Sequence, residues 1–444
     1  MNSLCFLSIA AYLFLAFSTL PSFASTADKD LRKQIRQAEV KAIPQAQPQN
    51  PAKVELGRML YFDKILSGNR DVACSTCHLA SQLTGDGLAL GIGTGGHGLG
   101  KDRELGEGRS FIPRNAPDIF NRGMSAWTTM FWDSRVMVSD SGEILSPAKG
   151  QLPKNLDSLL AVQALFPVTS RDEMRGAAGD LDIFGATNEL AILDDKDFVG
   201  IWSALMKRLQ ANPEYAQLFA AAYPQEKNLG YEHAANAIAA FEAQSFYFAH
   251  SPFDRYLRGN NQALSKIQKQ GAALFFGKAA CASCHNGPLL TDQKSYNLLV
   301  PQFGPGKALE EGVDFGRKEA SAKEEDAFKF RTPALRNVAI TGPWMHNGAY
   351  DNLFEVIFHH MDPYESCSMY EPKSLPDALK ETYHANSMQR LLETFNDDAK
   401  RVPYLSNQEI EALIAFLHAL TDPAATDMYH MVPKRVPSGL PIDG

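Results

Sequence analysis

Apolar positions recur at three- and four-residue spacing along much of this chain, and strand-like alternation is scarce. The spacing predicts helices over 156–165, 198–209 and 234–249, the last rich in alanine. Ser251-Pro252 breaks the third helix, and the domain boundary is placed there. Near the end, Ser406 with Glu409 three positions on forms a capping box. A helix is therefore expected over 407–420, stopping before Asp422-Pro423. One apolar phrase occurs twice, as Gly57-Arg-Met-Leu60-Tyr61-Phe62-Asp-Lys64 and as Gly271-Ala-Ala-Leu274-Phe275-Phe276-Gly-Lys278. Both copies have a helical pattern and end just before a pair of cysteines, with a longer connection in the first copy.

Those cysteines belong to two C-x-x-C-H runs, Cys74-Ser-Thr-Cys77-His78 and Cys281-Ala-Ser-Cys284-His285. This is the attachment signature of a c-type haem. Two thiols three positions apart can form thioethers to one porphyrin, and the adjacent imidazole reaches its iron. Two runs imply two covalently bound haem c groups, anchored by Cys74, Cys77, Cys281 and Cys284, with His78 and His285 as proximal ligands. The expected fold is mainly α, with two cytochrome c-like domains, each around one haem, and long loops. The first spans 25–250 and the second 251–444.

The first 24 residues read as a secretory signal: an apolar stretch from Leu4 to Leu20, then Ser22-Phe23-Ala24-Ser25, with cleavage after Ala24. No later segment has 18 consecutive apolar residues. Export to the periplasm agrees with c-type haem attachment. Of six cysteines, four sit in the haem motifs and Cys5 in the leader. Cys367 stands alone, so no disulfide framework forms within the mature chain. The net charge of −8 argues against nucleic-acid binding and suits steering of a basic donor protein. Residues 85–100 hold eight glycines, including a G-x-G-x-x-G match over 93–98. It opens no predicted helix, so a nucleotide site is rejected. Its content is His97, in a loop expected to be flexible.

With these residues assembled, the chain resembles the bacterial di-haem cytochrome c peroxidases and their MauG-like relatives, from about Pro51 to Asp422. The resemblance is carried by Arg114-Asn115-Ala-Pro117, Phe131-Trp132-Asp133, Ser251-Pro-Phe-Asp254-Arg255, Asp314-Phe-Gly316-Arg317, Leu335-Arg336-Asn337-Val338 and Thr341-Gly-Pro343-Trp-Met-His346-Asn-Gly348. It implies an exported enzyme that reduces hydrogen peroxide to water with electrons from a small donor protein, a cytochrome c or cupredoxin. The alternatives are a MauG-like oxidase acting on a protein or organic substrate, and a non-enzymatic di-haem electron carrier. The family often forms homodimers.

The resemblance also implies roles for single residues. Glu173 is the distal acid/base at the peroxidatic haem, with Asp172 as rival. Moving a proton between peroxide oxygens needs such a group. Trp132 lies between the haems, with Trp127 competing. Asn115, Thr341 and Pro343 hold a Ca²⁺ between the domains, through one amide and two backbone carbonyls. His97 is the candidate sixth ligand of the first haem. At the second haem the ungapped position falls on His360, where the peroxidases have Met and MauG has Tyr. Met361 and His359 are the neighbouring choices. Donors in successive helical positions point about 100° apart, so one alone can face the iron. His346 is expected to be structural.

Overall fold

The repeated phrase folds the same way twice in the computed structural model, which describes residues 26–307, 312–395 and 402–444. The leader expected over 1–24 lies outside them. The first copy lies in helix Pro51–Phe62, which crosses helix Tyr231–Ser245. The second lies in helix Lys266–Phe276, which crosses helix Asn407–Ala419. Both crossings occur at the glycine that opens the phrase. A Cβ on Gly57 would stand 1.9 Å from the Ala237 carbonyl oxygen, and one on Gly271 would stand 1.8 Å from that of Ala412. Any side chain there would force the helices apart, so the duplicated glycine marks a duplicated helix crossing. The first helix is capped by Asn50, and the last by the Ser406–Glu409 capping box.

Helix boundaries follow the apolar spacing with local exceptions. Helix Phe198–Gln210 matches its expectation within one residue. The helix expected over 156–165 shortens to Leu159–Ala164, because Ser158 caps it by accepting from the Ala161 amide. The helix expected over 234–249 runs instead from Tyr231 to Ser245. Beyond it the backbone of Phe248 bonds twice to the Asn121 side chain, at 2.8 and 3.1 Å, which replaces helical partners. Strands are short. Thr129–Met130, Val136–Val138 and Ile144–Leu145 form an antiparallel meander, and Ser295–Tyr296 pairs antiparallel with Phe330–Arg331.

Each half has its own apolar core, around Leu56, Leu60, Leu205 and Phe219 in one and Phe253, Phe275, Leu413 and Phe416 in the other. The two ends of the chain depart from a split at residue 250. Helix Thr26–Gln37 packs Leu31 and Ile35 into the second core, and Lys269 pairs with Asp28 at 2.8 Å. In exchange, the C-terminal segment packs Met428, Met431 and Val436 against Tyr61, Phe62 and Phe241 of the first half. Asp443 accepts from Thr76, inside the first cysteine motif, at 2.6 Å, and pairs with Lys64 at 2.8 Å. The crossed ends clasp the halves together. Among the described residues no helix is long and apolar enough to cross a membrane.

Candidate functional site: two cavities and the wall between them

Each C-x-x-C-H run lines a deep cavity. The first cavity holds Cys74, Cys77 and His78, and the second Cys281, Cys284 and His285. Their empty volumes are about 1440 and 1660 Å³, mouths included, ample for a macrocycle. The imidazoles are held alike. His78 Nδ1 lies 3.0 Å from the Thr84 carbonyl oxygen and His285 Nδ1 lies 3.0 Å from that of Leu290. Such a bond fixes the ring and leaves Nε2 as the donor to a metal. Burial lowers the pKa of both rings. For His285 burial and then the neighbouring His360 push it down to about 4, so both are neutral and ready to ligate. Burial pushes the Cys74 and Cys281 thiols up to about 12 and raises Cys77 further. Thiols so raised do not fit a primed redox pair or a thiolate metal site. The thiols and the half-bonded imidazole fit covalent haem attachment in both cavities.

The cavities share a wall. Asn115, Pro117, Asp118, Trp132 and Arg331 face both. Trp132 donates its Nε1 to the Asn115 carbonyl oxygen at 3.0 Å. Trp127, its rival, is buried away from both cavities and donates to Asn121 at 2.9 Å.

Glu173 faces the first cavity and Asp172 is exposed outside it. A π-helical turn, Arg171–Arg175, carries the pair. The turn is clamped from two sides: Gly68 N donates to Met174 O at 2.7 Å and Thr94 N to Glu173 O at 2.9 Å. Both approaches require glycine, since a Cβ on Gly68 or Gly93 would stand 2.0 and 1.9 Å from carbonyl oxygens of the turn. Burial raises the Glu173 carboxyl, while Arg135 and Lys307 pull it back.

His97 does not reach the first cavity. Its side chain is exposed, and its backbone pairs with Glu104 at 2.9 and 2.7 Å. The glycine-rich loop, expected to be flexible, is stapled instead. The Arg103 guanidinium donates to the carbonyls of Ile92, Gly93 and Gly98 at 2.7–2.8 Å, and Asp71 accepts from Thr94 and Gly95. Of its glycines, Gly93 serves close packing against the Glu173 turn.

Helix Leu353–Met361 presents three donors to three surroundings. His359 is fully buried and spent, with Nδ1 2.8 Å from the Tyr350 hydroxyl and Nε2 2.7 Å from the Leu298 carbonyl oxygen. Met361 packs on the apolar core of the second half. His360 faces the second cavity. Its Nδ1 bonds the Val356 carbonyl oxygen at 2.7 Å, and its Nε2 has no partner among the described residues. His346 also lines this cavity but stacks flat on Phe330, 3.5 Å between ring centroids. Asn115, Thr341 and Pro343 all lie in the second cavity's wall.

Glu242, Lys307 and Arg331 are among the charged wall residues that lie outside the sequence motifs. Glu242 lies on helix Tyr231–Ser245, where burial pushes its carboxyl up to about 8. An acid inside an alanine-rich apolar helix face was the available signal. Lys307 and Arg331 left none beyond their place in the resembling segment.

Known proteins answer to this arrangement. The family model for di-haem cytochrome c peroxidase matches residues 51–262, nearly all of the first half. The methylamine utilization protein MauG of Methylorubrum extorquens is 31% identical over 334 residues, 74% of each chain. This chain belongs to the di-haem cytochrome c peroxidase and MauG family. It is an oxidoreductase of that family, whose members carry two haems. The cytochrome c551 peroxidase of Pseudomonas aeruginosa is 30% identical over 74% of this chain and 80% of its own. A solved MauG-like protein associated with microbial copper homeostasis superposes with a TM-score of 0.58 at 25% identity, covering 89% of this chain and 96% of that one. MauG and peroxidase relatives at 31% and 30% identity leave the two branches of the family to be separated by site chemistry.

Proposed function

We propose that this protein is a periplasmic di-haem peroxidase, exported by the leader over 1–24, that reduces hydrogen peroxide to water with electrons from a small donor protein. The asymmetry of the cavities carries the reading. The first offers one imidazole, His78, and a buried carboxyl, Glu173. The second offers two imidazoles, His285 and His360, each with Nδ1 bonded to a backbone carbonyl. Cys74, Cys77, Cys281 and Cys284 would anchor the two haems, His78 and His285 would be the proximal ligands, and His360 the second axial ligand in the second cavity. Haem iron held in this way supplies one-electron redox chemistry at two sites and a place for peroxide where a ligand position stays open.

The remaining work falls to the chain. Each peroxide takes up two protons and two electrons and yields two waters. Glu173 takes the proton from the near oxygen and returns it to the far one, so that water leaves. Trp132, fixed by Asn115 in the shared wall, shortens the electron path between cavities. The Asn115 Oδ1 and the carbonyl oxygens of Thr341 and Pro343 have no hydrogen-bond partner among the described residues. Three neutral oxygens suit a weakly held Ca²⁺, with water completing its shell. Metal analysis before and after dialysis against chelator tests it: one calcium per chain should be lost, and Asn115→Ala should bind none.

His360 favours a second reading, a MauG-like oxidase acting on a protein or organic substrate. An imidazole stabilises ferric haem where a methionine raises the potential. One experiment bears on both readings. Pure holo-protein should contain two haems per chain by pyridine haemochrome. Mixing it with peroxide in a stopped-flow instrument, before and after one-electron reduction, should change its optical spectrum. Two low-spin haems inert to peroxide would instead make the protein an electron carrier.

A further inference from the structure

Three cations beside the first cavity converge on one carboxylate. Arg114, Arg135 and Lys307 lie 2.6, 3.2 and 2.9 Å from Asp133 Oδ2, and Arg114 also forks onto Asp314 at 2.7 and 2.8 Å. Two cations in the same walls are left over. Arg122 meets Asp118 only at 3.5 Å. Arg331, 2% exposed, has no carboxylate within ion-pair distance among the described residues. Its Nε donates to the Phe131 carbonyl oxygen and its Nη1 to that of Thr332, both at 3.1 Å, while Nη2 has no partner among the described residues. Burial, and then Arg122, pull its guanidinium down to about 9, which leaves it cationic at neutral pH. Asp118 and Asp133 favour the cation from a distance but do not pair with it, and a buried cation without a paired carboxylate is costly, so its persistence points to an anion that the described residues do not provide.

The place of Arg331 says which anion. It faces both cavities, whereas Arg122 faces the first alone. Its amide donates to the Trp132 carbonyl oxygen at 2.8 Å, and its guanidinium lies 6.0 Å from the Trp132 ring and 5.2 Å from that of Trp127. A guanidinium fork matches carboxylate geometry. The carboxylates that enter both cavities together are those of the two tetrapyrroles.

We propose that Arg331 is a carboxylate clamp common to the two cavities, holding a propionate of each bound haem, and that Arg122 adds a contact on the first side only. The clamp rests on the two-haem reading above. It ties both haems to one fixed charge against Trp132. Removing that charge stabilises the ferric state on both sides.

The test uses holo-protein and potentiometric titration followed optically, with haem content fixed by pyridine haemochrome. Arg331→Met should lower both midpoint potentials, each by about tenfold in the reduction equilibrium, or about 59 mV for one electron. Arg122→Met should lower only the first. A shift confined to one haem in Arg331→Met, or no shift, overturns the clamp. Should Arg331→Met fail to mature, Arg331→Lys carries the test. Lysine keeps the charge but is a point donor and can hold one carboxylate, so one potential should fall and the other stay. Both unchanged overturns the clamp. Wild-type protein with fewer than two haems would instead refute the two-haem reading itself.

Discussion

Glu173→Gln is expected to slow the reaction with peroxide by about 10²–10⁴-fold, the usual contribution of a placed acid/base. The change keeps the volume and the polar contacts of the side chain but removes its capacity to accept a proton. Gly68 and Thr94 hold the turn through backbone bonds, so the fold and both haem spectra should be unaltered. Asp172→Asn should leave the rate unchanged, because Asp172 points away from the cavity. The pH profile follows from the raised carboxyl. In the proposed mechanism Glu173 works as a carboxylate first, so activity is expected to fall as pH drops through its folded-state pKa. Burial puts that acid limb above the ordinary glutamate value, and the limb should vanish in the variant. Stopped-flow rates across pH decide it; a Glu173→Gln rate within about twofold of wild type removes Glu173 from the chemistry.

How much of this was legible in the sequence depended on range. The C-x-x-C-H runs, the duplicated phrase and the Ser406–Glu409 cap are local, and each appears in the structure where the spacing put it. What the duplicated glycine is for was not legible, since the partners of Gly57 and Gly271 are Ala237 and Ala412, far along the chain. His97 shows the limit of composition. Eight glycines in sixteen positions read as mobility, yet Arg103 and Asp71 staple the loop and Gly93 admits the Glu173 turn. The exchanged ends were invisible for the same reason, because Asp443 pairs with residues nearly four hundred positions away. Buried charges such as Arg331 have no local signature, since their meaning lies in what they lack.

His360→Met is expected to raise the potential of the second haem by a sizeable part of the roughly 0.8 V over which axial ligands move haem potentials. Three consecutive donors lie on one helix, and their surroundings separate them. His359 spends both nitrogens on Tyr350 and Leu298, Met361 is taken up by the apolar core, and His360 alone turns a free Nε2 into the cavity. With His360 as the proposed ligand, replacing that imidazole by a thioether withdraws a donor that favours ferric iron. The variant should therefore approach the high-potential electron reservoir of a standard peroxidase and turn over faster with a donor protein. Met361→Leu should leave the potential unchanged, and His360→Gly should open a coordination position and give a second high-spin signal. Potentiometry settles the assignment. If Met361→Leu moves the second potential and His360→Met does not, the helix must turn by one residue when haem binds, and the case for oxidase chemistry loses its physical basis.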